Sequence, residues 1–214
     1  MKIAGVDEAG KGPVIGSMIV AGVMVQEDML PVLEGMGVRD SKAISPKKRE
    51  FLASKIKEVG VCYTLELSAS EIDALRKKTT MNEIVVESHV RVLKQLKPDE
   101  AFLDAADVDA DRFAKKVQAW YGKNIKITSE HNADVTYPLV SAASIIAKVR
   151  RDETVQELER LLGKSIGSGY PSDIRTIHFL DDWVKEHDSL PSFVRHSWKT
   201  ATNALKRHEQ SRII

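Results

Sequence analysis

The chain has 214 residues, 43% of them hydrophobic, and its 32 Lys and Arg balance 31 Asp and Glu to a net charge of +1. That composition excludes disordered and fibrous classes and suits one compact domain or one domain with a small appendage. A near-neutral total does not announce a nucleic-acid binder, though local basic patches remain open.

Lys2 to Val6 is short and apolar and reads as a strand that ends at Asp7 and Glu8. Ala9-Gly10-Lys11-Gly12-Pro13 is a turn by composition, and Ile19 to Val25 reads as the partner strand of a hairpin. The apolar stretch Met18 to Val25 is interrupted by Gly22 and is too short to span a bilayer. No basic start with an apolar segment and cleavage site opens the chain, so a cytoplasmic protein is expected. Val38 to Lys42 is a polar loop. Ser45-Pro46 then has the form of a helix cap followed by proline at the first turn, with Phe51, Leu52, Ile56 and Val59 at helical spacing and Gly60 as the stop. Val61 to Leu67 alternates as a strand. Its Cys62 is the one cysteine, which rules out a disulfide within the chain and fits a reducing compartment. Asn82 to Leu96 is helical and stops before Pro98. Ala101 to Leu103 is a short buried strand running into Asp104. Arg112 to Trp120 reads as a helix, Asn124 to Thr128 as a strand, and Leu139 to Leu162 as a long helix closed by Gly163. From Tyr170 onward, helices bearing Trp183 and Trp198 flank a loop at Pro191. The order predicts an α/β fold with a mixed sheet and a helical tail, divided as 1–166 and 167–214.

Two near-matches to known loops fail on chemistry. Gly5 to Lys11 fits the opening of the phosphate-loop pattern G-x-x-x-x-G-K-[ST], but Gly12 replaces the hydroxyl that would hold magnesium. Asp7 and Glu8 would also repel phosphate there. Asp107 to Asp111 has the carboxylate spacing of a calcium loop, but Arg112 stands where glycine is required. Asp109 and Asp111 therefore read as solvated acids that start a helix.

Asp7, Glu8 and Asp104 each close an apolar strand, and Asp134 precedes the long helix. Taken singly, each is equally a turn former. Brought together, four carboxylates cannot all ionise without a cation, because like charges raise one another's pKa. Such a set calls for a hard divalent ion, Mg2+ or Mn2+, and a pair of ions roughly 3.5–4 Å apart is the usual arrangement for cleaving a phosphodiester.

The stretches GVDEAGKGPVIG, RDSK at 39–42, FLDAADVD at 102–109, SAASIIAKVRRD at 141–152 and GSGYPSD at 167–173 resemble the archaeal ribonuclease HII (type 2 ribonuclease H) family, in its order and over most of the chain. The resemblance implies a ribonuclease H-like fold: a mixed five-stranded sheet flanked by helices, with a helical C-terminal extension. It implies hydrolysis of the RNA strand of RNA–DNA hybrids and incision 5′ of single ribonucleotides in duplex DNA, leaving 5′-phosphate and 3′-hydroxyl ends. It places the catalytic, metal-binding acids at Asp7, Glu8, Asp104 and Asp134. The family's Gly-Arg-Gly loop falls on Gly10, Lys11 and Gly12, where the backbone reads the ribose 2′-hydroxyl; lysine here lacks the planar fork of arginine. Its junction-reading tyrosine falls on Tyr170, which by itself reads as a tyrosine capping a Gly-Pro turn; the matching motif reverses that reading. A second departure is Asn132 where the family commonly has lysine before Ala-Asp. His131 beside it reads as a surface-loop residue.

Lys42, Lys148 and Arg151 lie within matching motifs and are the expected phosphate contacts, with Ser144 facing the same groove. Such contacts set affinity and salt dependence rather than base preference. A monomer with no membrane attachment is expected, and the tail Ser211 to Ile214, apolar at its end, offers a place for a sliding-clamp partner. Two other classes stay open on residues alone. One is a non-catalytic hybrid-binding module, which the full acid set argues against. The other is a nucleotide-triphosphatase, which the phosphate-loop mismatch argues against.

Overall fold

The computed structural model describes residues 1–38 and 44–212. Strands β1 (Lys2–Ala9) and β2 (Met18–Gln26) form the expected hairpin, antiparallel from Lys2↔Gln26 to Ala9↔Ile19. Both are buried on both faces, so they read as continuous apolar runs rather than as alternating strands. On the other side of β1, β4 (Glu100–Asp104) runs parallel to it, and β5 (Lys126–Glu130) runs parallel to β4. With β3 (Val61–Leu67) the sheet is five-stranded, in the order β3-β2-β1-β4-β5. This is the mixed sheet with flanking helices that the sequence predicts.

The helix starts read at Ser45 and Asp109 hold, and the structure adds a cap at Thr80 that the sequence reading did not name. Ser45 accepts from the Lys48 N–H at the start of α2 (Pro46–Val59). Thr80 and Glu83 form a reciprocal capping box on α4 (Met81–Leu96), and Lys97 ends that helix in the left-handed region. Asp109 caps α5 (Ala110–Tyr121) through the Arg112 N–H, as its reading as a helix-starting acid requires. Phe51 departs from expectation. It is 60% exposed, because α2 turns Leu52, Ala53 and Ile56 inward and the adjacent position points away. Strand β5 starts two residues later than the sequence places it, since pairing with β4 (Leu103↔Ser129, Asp104↔Glu130) sets its bounds. Three short helices escape the sequence reading: α1 (Leu30–Gly35), α3 (Ala69–Arg76) and α6 (Ala133–Thr136). Too short for a convincing apolar period, they leave caps as the main signal, and Ser68-x-x-Glu71 before α3 is one.

The chain divides into two compact units, and the division is not a single cut. The first unit comprises Met1–Ala9, Ile19–Glu66 and Thr80–Arg150; the second takes Gly10–Met18, Leu67–Thr79 and the chain from Arg151 on. A boundary at 166/167 was expected from composition. The observed second unit gathers distant segments because Gly10–Met18 is hydrogen-bonded into it. Val14 N–H donates to Gly169 O at 2.8 Å, Gly16 N–H to Phe193 O at 2.9 Å, and Arg195 N–H to Val14 O at 2.8 Å.

In the first unit, the N-terminal part of α7 (Pro138–Leu162) lies against β1 so closely that a Cβ at Gly5 would stand 2.3 Å from the Leu139 carbonyl carbon. The small residues Ser141 to Ser144 are all buried and permit this approach. In the second unit, α8 (Ile174–His187) and α9 (Lys199–Ser211) enclose a core of Val14, Ile15, Phe179, Leu180 and Val184. Among the described residues no helix is long and apolar enough to cross a membrane.

Candidate active site

In the first unit the sheet brings the four predicted acids into one neighbourhood. Asp7 lies on the same face of β1 as Gly5, two residues on, and is 6% exposed. Burial holds its carboxyl well above the usual carboxylate range, and the charges of Glu8 and Asp104 push it further. The buried Ser144 hydroxyl beside it and the Glu8 N–H, which donates to Asp7 Oδ1 at 2.7 Å, act in the opposite direction.

Asp104 ends β4 next to β1. Its pKa is also raised, first by burial and then by Glu8 and Asp134; the Ala133 N–H, donating to Oδ1 at 2.8 Å, resists that shift. That bond ties α6 to the end of β4 and delivers Asp134, itself buried, to the same field. Asn132 precedes α6 with φ of 57°, a left-handed conformation that asparagine tolerates better than lysine, which gives its departure from the family pattern a backbone reason.

Glu8, the second acid of β1, has a partner that sequence reasoning missed. His89 on α4 is fully buried, and its Nε2 lies 3.1 Å from Glu8 Oε2. Its ring meets Phe113 edge-on at 5.2 Å. Nδ1 has no partner among the described residues, so the proton belongs on Nε2, which donates to Glu8. In the sequence this residue is one position on an apolar helix face, with no local mark to set it apart.

Among the described residues no three carboxylate or imidazole groups already converge on a common coordination point. The acids sit close enough to raise one another's pKa without closing, as mutual repulsion requires. Oxygen donors of this number and charge fit a hard divalent cation and poorly suit a softer metal.

The second unit holds the glycine loop. Gly10 has φ of +83°, and a Cβ there would lie 2.7 Å from Ser17 O and 3.3 Å from the Arg151 side chain, so only glycine fits. Gly12 is exposed, with the Tyr170 ring 3.6 Å from where its Cβ would be. Tyr170 itself is 38% exposed, and the Arg151 guanidinium lies 5.1 Å from its ring centroid while donating to Ser168 O at 2.7 Å. Arg151, expected as a phosphate contact, is thus engaged in holding Tyr170 and its turn. Lys11 is half-buried. Arg195, a second residue missed from sequence, is fully buried against this loop.

The remaining expected contacts fare differently. Ser144 is 1% exposed, lies near Asp7, and its Oγ has no hydrogen-bond partner among the described residues. Lys148 is half-buried on α7, and Lys42 lies outside the described residues. Near the C-terminus, Arg207 pairs with Asp181 and Arg212 with Asp188. His131 is exposed, with Nε2 3.3 Å from Val108 O.

Comparison with known proteins agrees with this geometry. The Ribonuclease HII family profile matches residues 4–201. The chain is 54% identical to Ribonuclease HII of Methanothrix thermoacetophila over 94% of its own length and 96% of the relative's. It is 53% identical to that of Methanosarcina barkeri, over 95% of each. Among solved structures, ribonuclease H2 from Pyrococcus horikoshii OT3 superposes with a TM-score of 0.92 at 40% identity, covering 98% of this chain and 100% of that one. The ribonuclease HII in a PCNA complex from Archaeoglobus fulgidus superposes with a TM-score of 0.87 at 40% identity, covering 93% and 96%. Bst-RNase HIII in complex with Mn2+ shares the fold, with a TM-score of 0.84 at 19% identity over 98% of this chain and 71% of that one.

Proposed function

The chain belongs to the ribonuclease HII family, endoribonucleases that cleave the RNA of RNA–DNA hybrids, and from that premise we propose that it also incises 5′ of single ribonucleotides embedded in duplex DNA, leaving 5′-phosphate and 3′-hydroxyl ends. The observation that carries this reading is the common electrostatic field of the acids. Asp7 and Asp104 are both pushed toward protonation by burial and by neighbouring carboxylates, a state that divalent ions would relieve. Asp7, Glu8, Asp104 and Asp134 would hold Mg2+ or Mn2+, which when bound lowers the pKa of an attacking water and stabilises the leaving oxygen.

The chain's own residues then divide the work. β1 and β4 fix three of the acids on rigid strands, and the Ala133–Asp104 bond fixes the fourth. His89 orients Glu8 through Nε2. Gly10, Lys11 and Gly12 present backbone groups to the ribose 2′-hydroxyl, the group that distinguishes RNA from DNA. The Tyr170 ring, held by Arg151, stacks on the following deoxyribose. Lys42, Lys148 and Lys11 supply charge toward phosphates. A sliding-clamp partner, of the kind present in the Archaeoglobus fulgidus complex, would be met through the tail from Ser211, whose last two residues lie outside the described ones. As a family of endoribonucleases displaces both alternatives, neither the passive binding module nor the triphosphatase is retained.

The test uses an end-labelled DNA duplex with one ribonucleotide, beside an all-DNA duplex and a long RNA–DNA hybrid, each with Mg2+ and with chelator. One Mg2+-dependent cut 5′ of the ribonucleotide is expected, with a 3′-hydroxyl on the upstream product. Cleavage of the long hybrid alone would refute the single-ribonucleotide reading.

A further inference from the structure

Among the described residues Arg195 is the largest side chain that is completely buried. Burying a guanidinium is costly unless its charge is compensated, and the usual compensation is a carboxylate. Here none stands at ion-pair distance among the described residues. Burial accordingly pulls its pKa down to about 10, with Arg151 adding to the effect. What it meets is backbone. Nη1 donates to Lys11 O at 2.8 Å, Nη2 to Gly10 O at 2.6 Å and to Gly16 O at 3.0 Å, and Nε to Gly16 O at 3.1 Å. The Trp198 ring lies 4.9 Å from the guanidinium carbon, and its Nε1 donates to Gly12 O at 3.0 Å. The segment carrying both residues is itself pinned, since the Asp73 carboxylate accepts from His196 N–H at 2.6 Å and Ser197 N–H at 3.0 Å.

Three consecutive carbonyls, those of Gly10, Lys11 and Gly12, are therefore all taken by two side chains. A trans peptide is planar and its C=O and N–H point in opposite directions. Fixing the Gly10 and Lys11 carbonyls toward Arg195 turns the N–H groups of Lys11 and Gly12 to the other side of the loop. The third peptide offers nothing there, because Pro13 has no N–H. The result is two adjacent donors with a set direction, on a loop whose glycines would otherwise sample many conformations.

We infer that Arg195 and Trp198 are the positioning residues for ribonucleotide discrimination: they clamp the carbonyls of Gly10, Lys11 and Gly12 and thereby aim the Lys11 and Gly12 N–H groups at the 2′-hydroxyl. The inference rests on the proposal that this loop reads the ribose. It assigns selectivity to a buried charge that touches no substrate, and it accounts for a lysine in the middle of the loop. The aimed groups are backbone, and the middle side chain is not what aims them.

The test is steady-state cleavage of the one-ribonucleotide duplex in Mg2+, with the all-DNA duplex as competitive inhibitor. The ratio of Ki for the all-DNA duplex to KM for the ribonucleotide duplex measures discrimination. Arg195→Lys keeps the charge but cannot span three carbonyls, and the ratio should fall about tenfold through a raised KM, the loss of one to two hydrogen bonds. Trp198→Phe keeps the ring and removes only the bond to Gly12 O, and the ratio should fall about threefold. A merely structural role would lower the melting temperature and leave the ratio alone. Folded variants with the unaltered ratio overturn the inference, and if Arg195→Lys does not fold, the half-buried Trp198→Phe decides it. Equal Ki and KM in the unaltered enzyme would instead remove the ribose reading of the loop, and the inference with it.

Discussion

At Gly5, two residues before Asp7, helix α7 approaches the sheet closely enough that one methyl group tests the packing. In Gly5→Ala the new Cβ would stand 2.3 Å from the Leu139 carbonyl carbon and 2.5 Å from both Leu139 O and Val140 N, where ordinary contact begins near 3.4 Å. All three atoms are backbone, so no side chain can swing aside. The start of α7 must retreat by about 1 Å, a gap that forfeits a quarter to a half of each dispersion contact along the Leu139–Ser144 face. Overpacking of this kind costs about 3 kcal/mol, the upper end of the common range, because backbone must move. For a chain of 214 residues that lowers the melting temperature by about 6–12 °C. Function falls with it, because Gly5 and Asp7 share a face and the retreat draws Ser144 away from Asp7. Gly35→Ala is the matched control: its Cβ would meet nothing within 4 Å, and alanine at the end of a helix should stabilise by about 0.5–1 kcal/mol. Calorimetric melting and hybrid cleavage of both variants provide the readout. A Gly5→Ala protein that melts within 2 °C of the unaltered chain and cleaves normally would refute the packing argument.

Asp7→Asn should abolish hybrid cleavage while raising stability in chelator. The Asp7 carboxyl is raised above its ordinary 3.8, so its favourable contribution is full below that value and is lost as pH climbs through the raised one. The melting-temperature gain of the variant should therefore grow with pH above about 4; a gain that shrinks as pH rises would contradict the sign. His89→Phe keeps an aromatic ring at the position and removes the donor to Glu8 Oε2. Loss of an orienting partner typically costs 10–100-fold in metal affinity, so titration calorimetry with Mn2+ should show at least a tenfold weaker Kd, and an unchanged Kd would remove His89 from this role.

Local signals made much of this protein legible in one dimension. Ser45-Pro46, Thr80 with Glu83, and Asp109 each satisfy helix-end N–H groups within three or four residues, so the starts of α2 and α5 follow from sequence, and the cap of α4 carries the same kind of local signal. Apolar runs that meet acids placed Asp7, Glu8 and Asp104 close to strand ends, although β1 goes on pairing through Asp7 and Glu8 to Ala9. Other features depend on partners far away in the chain. Pairing with β4 set the bounds of β5, and Phe51 faces solvent because the sheet occupies the neighbouring face of α2. The turn holding Asp134 depends on Asn132 in the left-handed region and on Asp104, 29 residues upstream of Ala133. His89 lies 81 residues from Glu8, and Arg195 lies 185 from Gly10. A histidine on an apolar stripe and an arginine near the C-terminus carry no sequence mark of those roles. What sequence alone determined is which groups exist and where each element ends, since those are contests among neighbours along the chain. Which groups meet, and which way a carbonyl or a carboxylate points, was decided only when each unit packed around its own groups.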